Sequence, residues 1–570
     1  MKELLLSLLA CLLSTNVFAA KAITEWQTFT QPDGHVLIMT LSGDESGYCY
    51  MDQQGNAYMP DSLGMFRILP PGQSPPKTVT ARRAGIQLQP KKEWHPDRIY
   101  HQMVVLVSFS DFDFKTEDPQ AVYDSIFNER GYNQGDGPGC VADYFRDQSE
   151  GRLNLKFDVY GPIKVDAQAR DDYLEEGKIN NGKNVFVEAM DKLLLQQPGM
   201  DFSLYDWNND GRMEQVVFVY AGYTGNQTAS LGHIWPNTGV MDFTSPDGQQ
   251  EAYYSASAEL WANGRSCGIG TICHEYSHCL GLPDIYPMTK DVSYSSVVDQ
   301  WDVMDGGNST NWGWCPPNYS PMEKMLLGWL EPTELASDTI VTGIKPLSKG
   351  GEAYLIRHTQ GEYLLLENRQ WQGWDMAAPG QGLLVWHINY DESAWQNNVV
   401  NNTEGLPKCH LIAADNMNYS EWVALYRARG GTNTYQDKTR RLHRCILSSA
   451  PYPWATDSTD FVNNELTDIS LPATVMYNQN ATGSYLLSKP ITHITEHEDG
   501  TISFVFRAST PDGLLTINPE PLTINRIYTL AGRKIQTNAQ IDNLPSGIYI
   551  IDGKTYYRKN PNIFGTLHAY

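Results

Sequence analysis

His274-Glu275-Tyr276-Ser277-His278 is the stretch of this chain best suited to chemistry. On a helix, residues four apart share one face, so both imidazoles reach a single ion. Glu275, beside the first of them, is placed to act as general base toward water that the ion activates. The sequence continues Cys279-Leu280-Gly281-Leu282-Pro283-Asp284. Gly281 is suited to end the helix in the left-handed conformation, and Pro283 stops it resuming. The chain then turns back and presents Asp284 as a third donor. Two imidazoles and a carboxylate are an accepted zinc donor set, with a fourth position left for water. Zinc held this way lowers the pKa of water toward about 7, so the expected chemistry is hydrolysis at neutral pH.

Further on, Trp301-Asp302-Val303-Met304-Asp305-Gly306-Gly307 sets a methionine beside a tight turn. After a His-Glu-x-x-His-x-x-Gly-x-x-Asp run, Met304 reads as a Met-turn, the hydrophobic floor beneath the ligands of metzincin peptidases. A second metal candidate is Asp206-Trp207-Asn208-Asn209-Asp210-Gly211-Arg212-Met213-Glu214. Oxygen donors at positions one, three, five and nine, with glycine at six, match the first part of a calcium loop. Its candidate contacts are Asp206, Asn208, Asp210, Arg212 and Glu214; Val217 stands where the loop's final glutamate belongs. The other reading is an Asn-Asp-Gly turn between strands. Cys49 has the chemistry to fill an open zinc position and hold an enzyme latent. Tyr286 and Tyr294 are candidates to stabilise an oxyanion. His233, His387, Glu367 and Arg369 read as structural partners.

The elements that must position these groups alternate helix and strand. Apolar runs predict strands at Met103–Phe109, Leu153–Val159 and Val216–Tyr220, and helices at Ala121–Phe127 and Val141–Gln148. Upstream, His35–Leu41 and Tyr48–Ala57 read as short strands punctuated by turns at Gly43-Asp44-Glu45 and Gln53-Gln54-Gly55-Asn56, followed by the Pro-rich stretch Leu69–Pro76. Arg82, Arg83, Lys91 and Lys92 then offer sites for proteolytic release of an N-terminal segment. From Glu334 to Arg507 the signals turn to β, at Tyr354–Arg357, Tyr363–Glu367, Gly382–Asn389 and Ile502–Arg507.

Forty-two basic against 66 acidic residues leave a net charge of −24, which excludes a nucleic-acid partner. The N-terminal run Leu4–Leu13, ending in Val17-Phe18-Ala19-Ala20, is too short to span a membrane and reads as a secretory signal cleaved near Ala19. Signal removal leaves no transmembrane segment. Nine cysteines without a C-x-x-C pair argue against a disulfide scaffold or thiolate zinc ribbon, although Cys409 and Cys445 have the spacing to bridge within one domain. The block Asn525–Asn560 is basic, with Arg526, Arg533, Lys534, Lys554, Arg558 and Lys559 against Asp542 and Asp552.

His274 through Tyr286 resembles the zinc signature of the immune-inhibitor-A family of secreted metallopeptidases. Trp301–Gly307 resembles that family's methionine segment, and Ser320–Leu330 its following helix. Val107–Asp111, Tyr144–Gly151, Tyr363–Gln370 and Gly382–His387 also match, and Gln31–Glu45 is similar to the family's pro-segment. The resemblance implies a zinc endopeptidase made as a zymogen, with His274, His278 and Asp284 as ligands and Glu275 catalytic. It also supports the calcium-loop reading. Ile527–Lys534 and Leu544–Lys554 resemble the sorting domain of type IX secretion cargo, with Pro561–Tyr570 running past the usual end. That likeness implies recognition by the type IX machinery and export to the cell surface or medium.

The expected fold is α+β: a metzincin-like peptidase domain behind a β-rich pro-segment, then all-β sandwich domains. The divisions are a signal peptide at 1–20, a pro-segment at 21–98, a catalytic domain at 99–335, a β-sandwich at 336–510 and a sorting domain at 515–570. Protein substrates are the expected partners. The competing reading is a surface adhesion protein with a vestigial zinc site, and the intact Glu275 argues against it.

Overall fold

The structure, a computed structural model, describes residues 94–169, 183–227, 233–245, 251–289, 294–428, 446–455 and 461–509 continuously, with shorter pieces elsewhere. The fold is mixed α and β and rich in sheet. Its centre is a six-stranded sheet containing β1 (Ile99–Ser108), β2 (Asn154–Lys164), β3 (Gln215–Tyr223), β4 (Asn237–Asp242) and β5 (Glu251–Leu260). The spatial order is Phe18–Ala19, β4, β5, β3, β1, β2. Strands β2, β1, β3 and β5 run parallel, and β4 is antiparallel to β5. Parallel strands covered on both faces read as continuous apolar runs, and successive side chains still alternate between faces. Val104 and Leu106 of β1 enter one core with Val217 and Val219, while Met103, Val105 and Val107 enter another with Val216, Phe218 and Tyr220.

Helix α1 (Val141–Gln148) spans the residues expected. Cys140 caps it, its sulfur accepting the Asp143 amide while the Asp143 carboxylate accepts the Cys140 amide. Two strands and a helix have no counterpart in the sequence reading: β4, β5 and the helix Lys183–Gln196. The expected turn at Gln53-Gln54-Gly55-Asn56 separates two strands, Gly47–Asp52 and Ala57–Pro60. The Asp52 carboxylate accepts the amides of Gln54 and Asn56, which folds the intervening residues into a turn. Five antiparallel strands between Gln27 and Ile68 form a separate sheet. Its Met39, Leu41, Tyr50 and Tyr58 share a core cluster with Trp235, two residues before β4. Tyr48 adds a ring contact to Trp235 at 5.6 Å.

Downstream, a five-stranded sheet includes β6 (Glu362–Arg369), β7 (Gly382–Asn389) and β8 (Cys409–Leu411). Leu365, Leu384 and Trp386 face the core that also buries Met304 and Tyr276, and Leu364, Leu366, Leu383 and Val385 face a second core roofed by a three-stranded sheet. The peptidase-like residues therefore share one apolar core with the β-rich region. Arg369 is buried there between Glu367, 2.9 Å from its Nε, and Asp375, 2.8 Å from its Nη1. A helix, Tyr419–Ala428, interrupts the expected run of β.

The strands Ile527–Thr529, Lys534–Ile535, Gly547–Ile551 and Lys554–Arg558 form a sheet to which His568–Ala569, in the extra tail, adds an edge. The signal-peptide expectation falls outside the described residues except for Phe18–Ala19, which pair antiparallel with Asn237 and Thr238. The segment 70–93, with Arg82, Arg83, Lys91 and Lys92, and Cys445 also lie outside them. Among the described residues no helix is long and apolar enough to cross a membrane.

Candidate metal centre

Helix α2 (Gly270–Cys279) carries the histidine pair and is buried through His278, lying against β5 and β4. A side chain at Gly270 would run into the backbone carbonyl of Asn308, so glycine permits the helix to begin this close to the following loop. At the other end Gly281 takes φ 104°, and the Leu282 amide returns to the Ser277 carbonyl. This is the left-handed termination expected of it. The reversal brings Asp284 back over the helix.

The three donors converge. His274 Nε2 and His278 Nε2 stand 3.2 Å apart, and Asp284 Oδ1 lies 3.3 Å from each. Among the described residues this is the one group of three or more His, Cys, Asp or Glu donors all within 4.8 Å of one another. His274 Nδ1 faces the Val303 carbonyl at 2.7 Å and His278 Nδ1 the Leu282 carbonyl at 2.8 Å. Carbonyl oxygens only accept, so each Nδ1 carries the hydrogen and each Nε2 turns a lone pair inward. Asp284 Oδ1, fully buried, accepts no hydrogen bond. Two inward lone pairs and a carboxylate oxygen fit a divalent zinc-type ion.

Two partners of this group carried no sequence signal. Asn398 donates from Nδ2 to Asp284 Oδ2 at 2.6 Å and accepts the Asp284 amide on Oδ1 at 2.6 Å. Thr238 of β4 donates to Glu275 Oε2 at 2.8 Å. Met304 is fully buried in the same core, and its carbonyl accepts the Ile285 amide, which ties its turn to the residue after Asp284. Tyr286 stacks on His274 with ring centroids 6.5 Å apart. The Tyr294 hydroxyl is turned to the Thr403 carbonyl at 3.0 Å. Cys49 lies on the Met51 sulfur at 3.7 Å and is not in the converging group, contrary to the latency role.

The calcium loop is not built as a converging site. Asp206 accepts the amides of Asp210 and Gly211, Asn208 accepts that of Asp210, and Asp210 accepts that of Arg212. Glu214 accepts the Trp207 amide at 2.6 Å. Asp206 and Asn208 spend their oxygens on the loop's own amides, Asp210 accepts an amide and the Asn208 side-chain nitrogen, and Asp206, Asp210 and Glu214 are not among the donors that converge within 4.8 Å. These are the bonds of a turn, here between a short 3-10 helix at Phe202–Tyr205 and β3, and they leave the calcium reading without support.

Beneath Met304 lies a buried acid pair. Glu323 caps the helix Pro321–Leu326 by accepting the Ser320 amide on Oε2 at 2.6 Å. Its Oε1 and Asp302 Oδ2 are both buried without another donor. Burial and then the Asp302 charge push Glu323 well above the ordinary range, and burial lifts Asp302 to about 6. Two buried carboxyls raised in this way favour holding one proton between them. A proton bound more tightly in the folded chain stabilises it in full below about pH 4, and that contribution is lost as pH rises through the raised values. Glu323→Gln, a permanent donor toward Asp302, is expected to gain stability relative to wild type from pH 5 to 8 in urea unfolding. Glu323→Ala should lose about 1–3 kcal/mol. A pH-independent difference between wild type and Glu323→Gln would refute the shared proton.

Residues 242–327 match a family model described as the immune inhibitor A peptidase M6 catalytic domain. The match covers β5, helix α2, Asp284 and the Met304 turn. A relative, an immune inhibitor A of Bacillus thuringiensis subsp. alesti, is 26% identical over 265 residues. That alignment takes in 39% of this chain and 38% of the relative, so the chain spans about two fifths of the relative's length. The likeness is therefore to a peptidase, and the family model's match includes the residues whose donors converge.

Proposed function

We propose that this chain is a secreted zinc-dependent endopeptidase made as a zymogen. The carrying observation is the buried convergence of His274, His278 and Asp284, with hydrogen-bond partners that leave both imidazole lone pairs facing inward. These three residues would hold the ion, and Met304 would floor it. When bound, zinc supplies Lewis acidity that polarises a peptide carbonyl and acidifies water. Glu275 takes a proton from the attacking water on its carboxylate and returns it to the leaving amine. Thr238, through its bond to Oε2, fixes which carboxylate oxygen is engaged and leaves the rotamer little freedom.

The pro-segment reading is supported by the sheet spanning Gln27 to Ile68, which buries Trp235 just upstream of Thr238. Removing that sheet would uncover the strand that holds Glu275. Export is supported by the N-terminal apolar run, and a sorting role for the tail by its resemblance to type IX cargo. The test is casein hydrolysis by protein processed between Arg82 and Tyr100, with and without a zinc chelator. Chelator-sensitive cleavage is expected, and chelator-insensitive cleavage or none would overturn the reading.

A further inference from the structure

A second pair of histidines repeats the arrangement of the first. His387 on β7 and His410 on β8 face each other directly in register across the sheet. His387 Nδ1 and His410 Nε2 stand 3.1 Å apart, against 3.2 Å for the pair on α2. Here too the far nitrogens are tied to acceptors: His387 Nε2 to Glu362 Oε1 at 2.8 Å, and His410 Nδ1 to the Leu411 carbonyl at 3.2 Å. A carboxylate and a carbonyl cannot donate, so each far nitrogen carries hydrogen, and the neutral tautomer of either ring turns a lone pair toward the other. The Tyr477 hydroxyl lies 3.0 Å from His410 Nε2. Its single hydrogen satisfies one lone pair and leaves the other facing a third electron-rich atom.

Glu362 is fixed independently of the histidines. It accepts the Tyr477 amide on Oε1 at 2.6 Å, and the Asn478 amide and side-chain nitrogen on Oε2, both at 2.9 Å. A carboxylate so held orients His387 as carboxylates behind metal-binding imidazoles do. The Tyr477 ring stacks on His387 with centroids 4.8 Å apart. His387 is buried, while His410 and Tyr477 are partly exposed, which gives an ion a path from solvent.

We propose that His387 Nδ1, His410 Nε2 and the Tyr477 hydroxyl form a second site for a divalent transition-metal ion of the zinc class, with Glu362 orienting His387. Two imidazoles and a phenol oxygen suit such an ion better than calcium or magnesium, which take oxygen ligands. The site lies within reach of the first: Asn401 accepts the Cys409 amide at the start of β8 and donates to the Ile285 carbonyl beside Asp284. An ion there would brace the wall behind the third ligand of α2.

The test is a zinc count by elemental mass spectrometry on full-length chain, stripped, reloaded with Zn2+ and desalted into metal-free buffer. Two ions per chain are expected for wild type, one for His410→Gln and one for His274→Gln. One ion in wild type that is lost in His274→Gln overturns the second site and leaves the peptidase reading intact. One ion lost in His410→Gln but kept in His274→Gln supports the second site and counts against the first. Should His410→Gln fail to fold, His274→Gln decides alone: a retained ion supports the proposal, and none overturns it.

Discussion

Glu275→Gln is expected to lower peptide hydrolysis by about 10²–10⁴-fold, the usual worth of a positioned general base, while zinc remains bound. The substitution keeps the side chain's shape, so the amide oxygen can still accept the Thr238 hydroxyl that now donates to Oε2 at 2.8 Å. The three converging donors are His274, His278 and Asp284, and Glu275 is not among them. Loss of the carboxylate therefore removes proton transfer and leaves metal retention untouched. Turnover of a fluorogenic peptide and a zinc count on the same preparation, processed between Arg82 and Tyr100, separate the two effects. Near-normal turnover would remove Glu275 from its role. Lost zinc would instead mean that the carboxylate helps to hold the ion.

The part of this site that could be read in advance is the part built from near neighbours. The helix Gly270–Cys279, its termination at Gly281 and the return to Asp284 depend on one continuous local stretch, Gly270 to Asp284, where helical spacing and glycine chemistry decide the geometry. The clamp on Asp284 comes from Asn398, 114 residues away, and the partner of Glu275 from Thr238, 37 residues away. Nothing in the local pattern around an asparagine or a threonine marks it for such a contact. The same holds for Glu362, His387 and His410, which meet because β6, β7 and β8 pair in one register, and for Tyr477, which joins them from a segment outside that sheet.

Among the elements, strands rich in Val and Leu were legible, as at Met103–Val107, Tyr354–Arg357 and Gly382–Asn389. Strand β5, Glu-Ala-Tyr-Tyr-Ser-Ala-Ser-Ala-Glu-Leu, was not, although it pairs on both sides. Its alanines and serines have little intrinsic preference for a strand, and only the neighbours β3 and β4 make it one. The calcium reading stays without support for a related reason. The spacing of Asp206, Asn208 and Asp210 is shared by ion loops and by turns that bond their own amides. What separates them is a closing glutamate, and Val217 stands in that position.

Asp284→Ala is expected to abolish zinc retention at the α2 site, and Asn398→Ala to weaken it by about 10–100-fold, the usual cost of removing a ligand's hydrogen-bond partner. The ranking follows from what each residue supplies. Asp284 Oδ1 faces both imidazoles at 3.3 Å and brings the only negative charge in the converging group. Without it two neutral nitrogens remain, which is too few donors for a structural or catalytic zinc. Asn398 offers no donor to the ion. It grips Asp284 at two points, the side chain through Oδ2 and the backbone through its amide, each at 2.6 Å. Its own backbone sits at φ 53°, a left-handed conformation that asparagine tolerates better than alanine, so the loss of side-chain bonds is compounded by strain. Titration against a chromophoric chelator measures both affinities, and turnover at saturating zinc asks whether Asn398→Ala recovers once the ion is forced in. Recovery is the signature of a positioning residue. Wild-type zinc affinity in Asp284→Ala would show that another group completes the shell, and the geometry of α2 and its return loop would then need a different purpose.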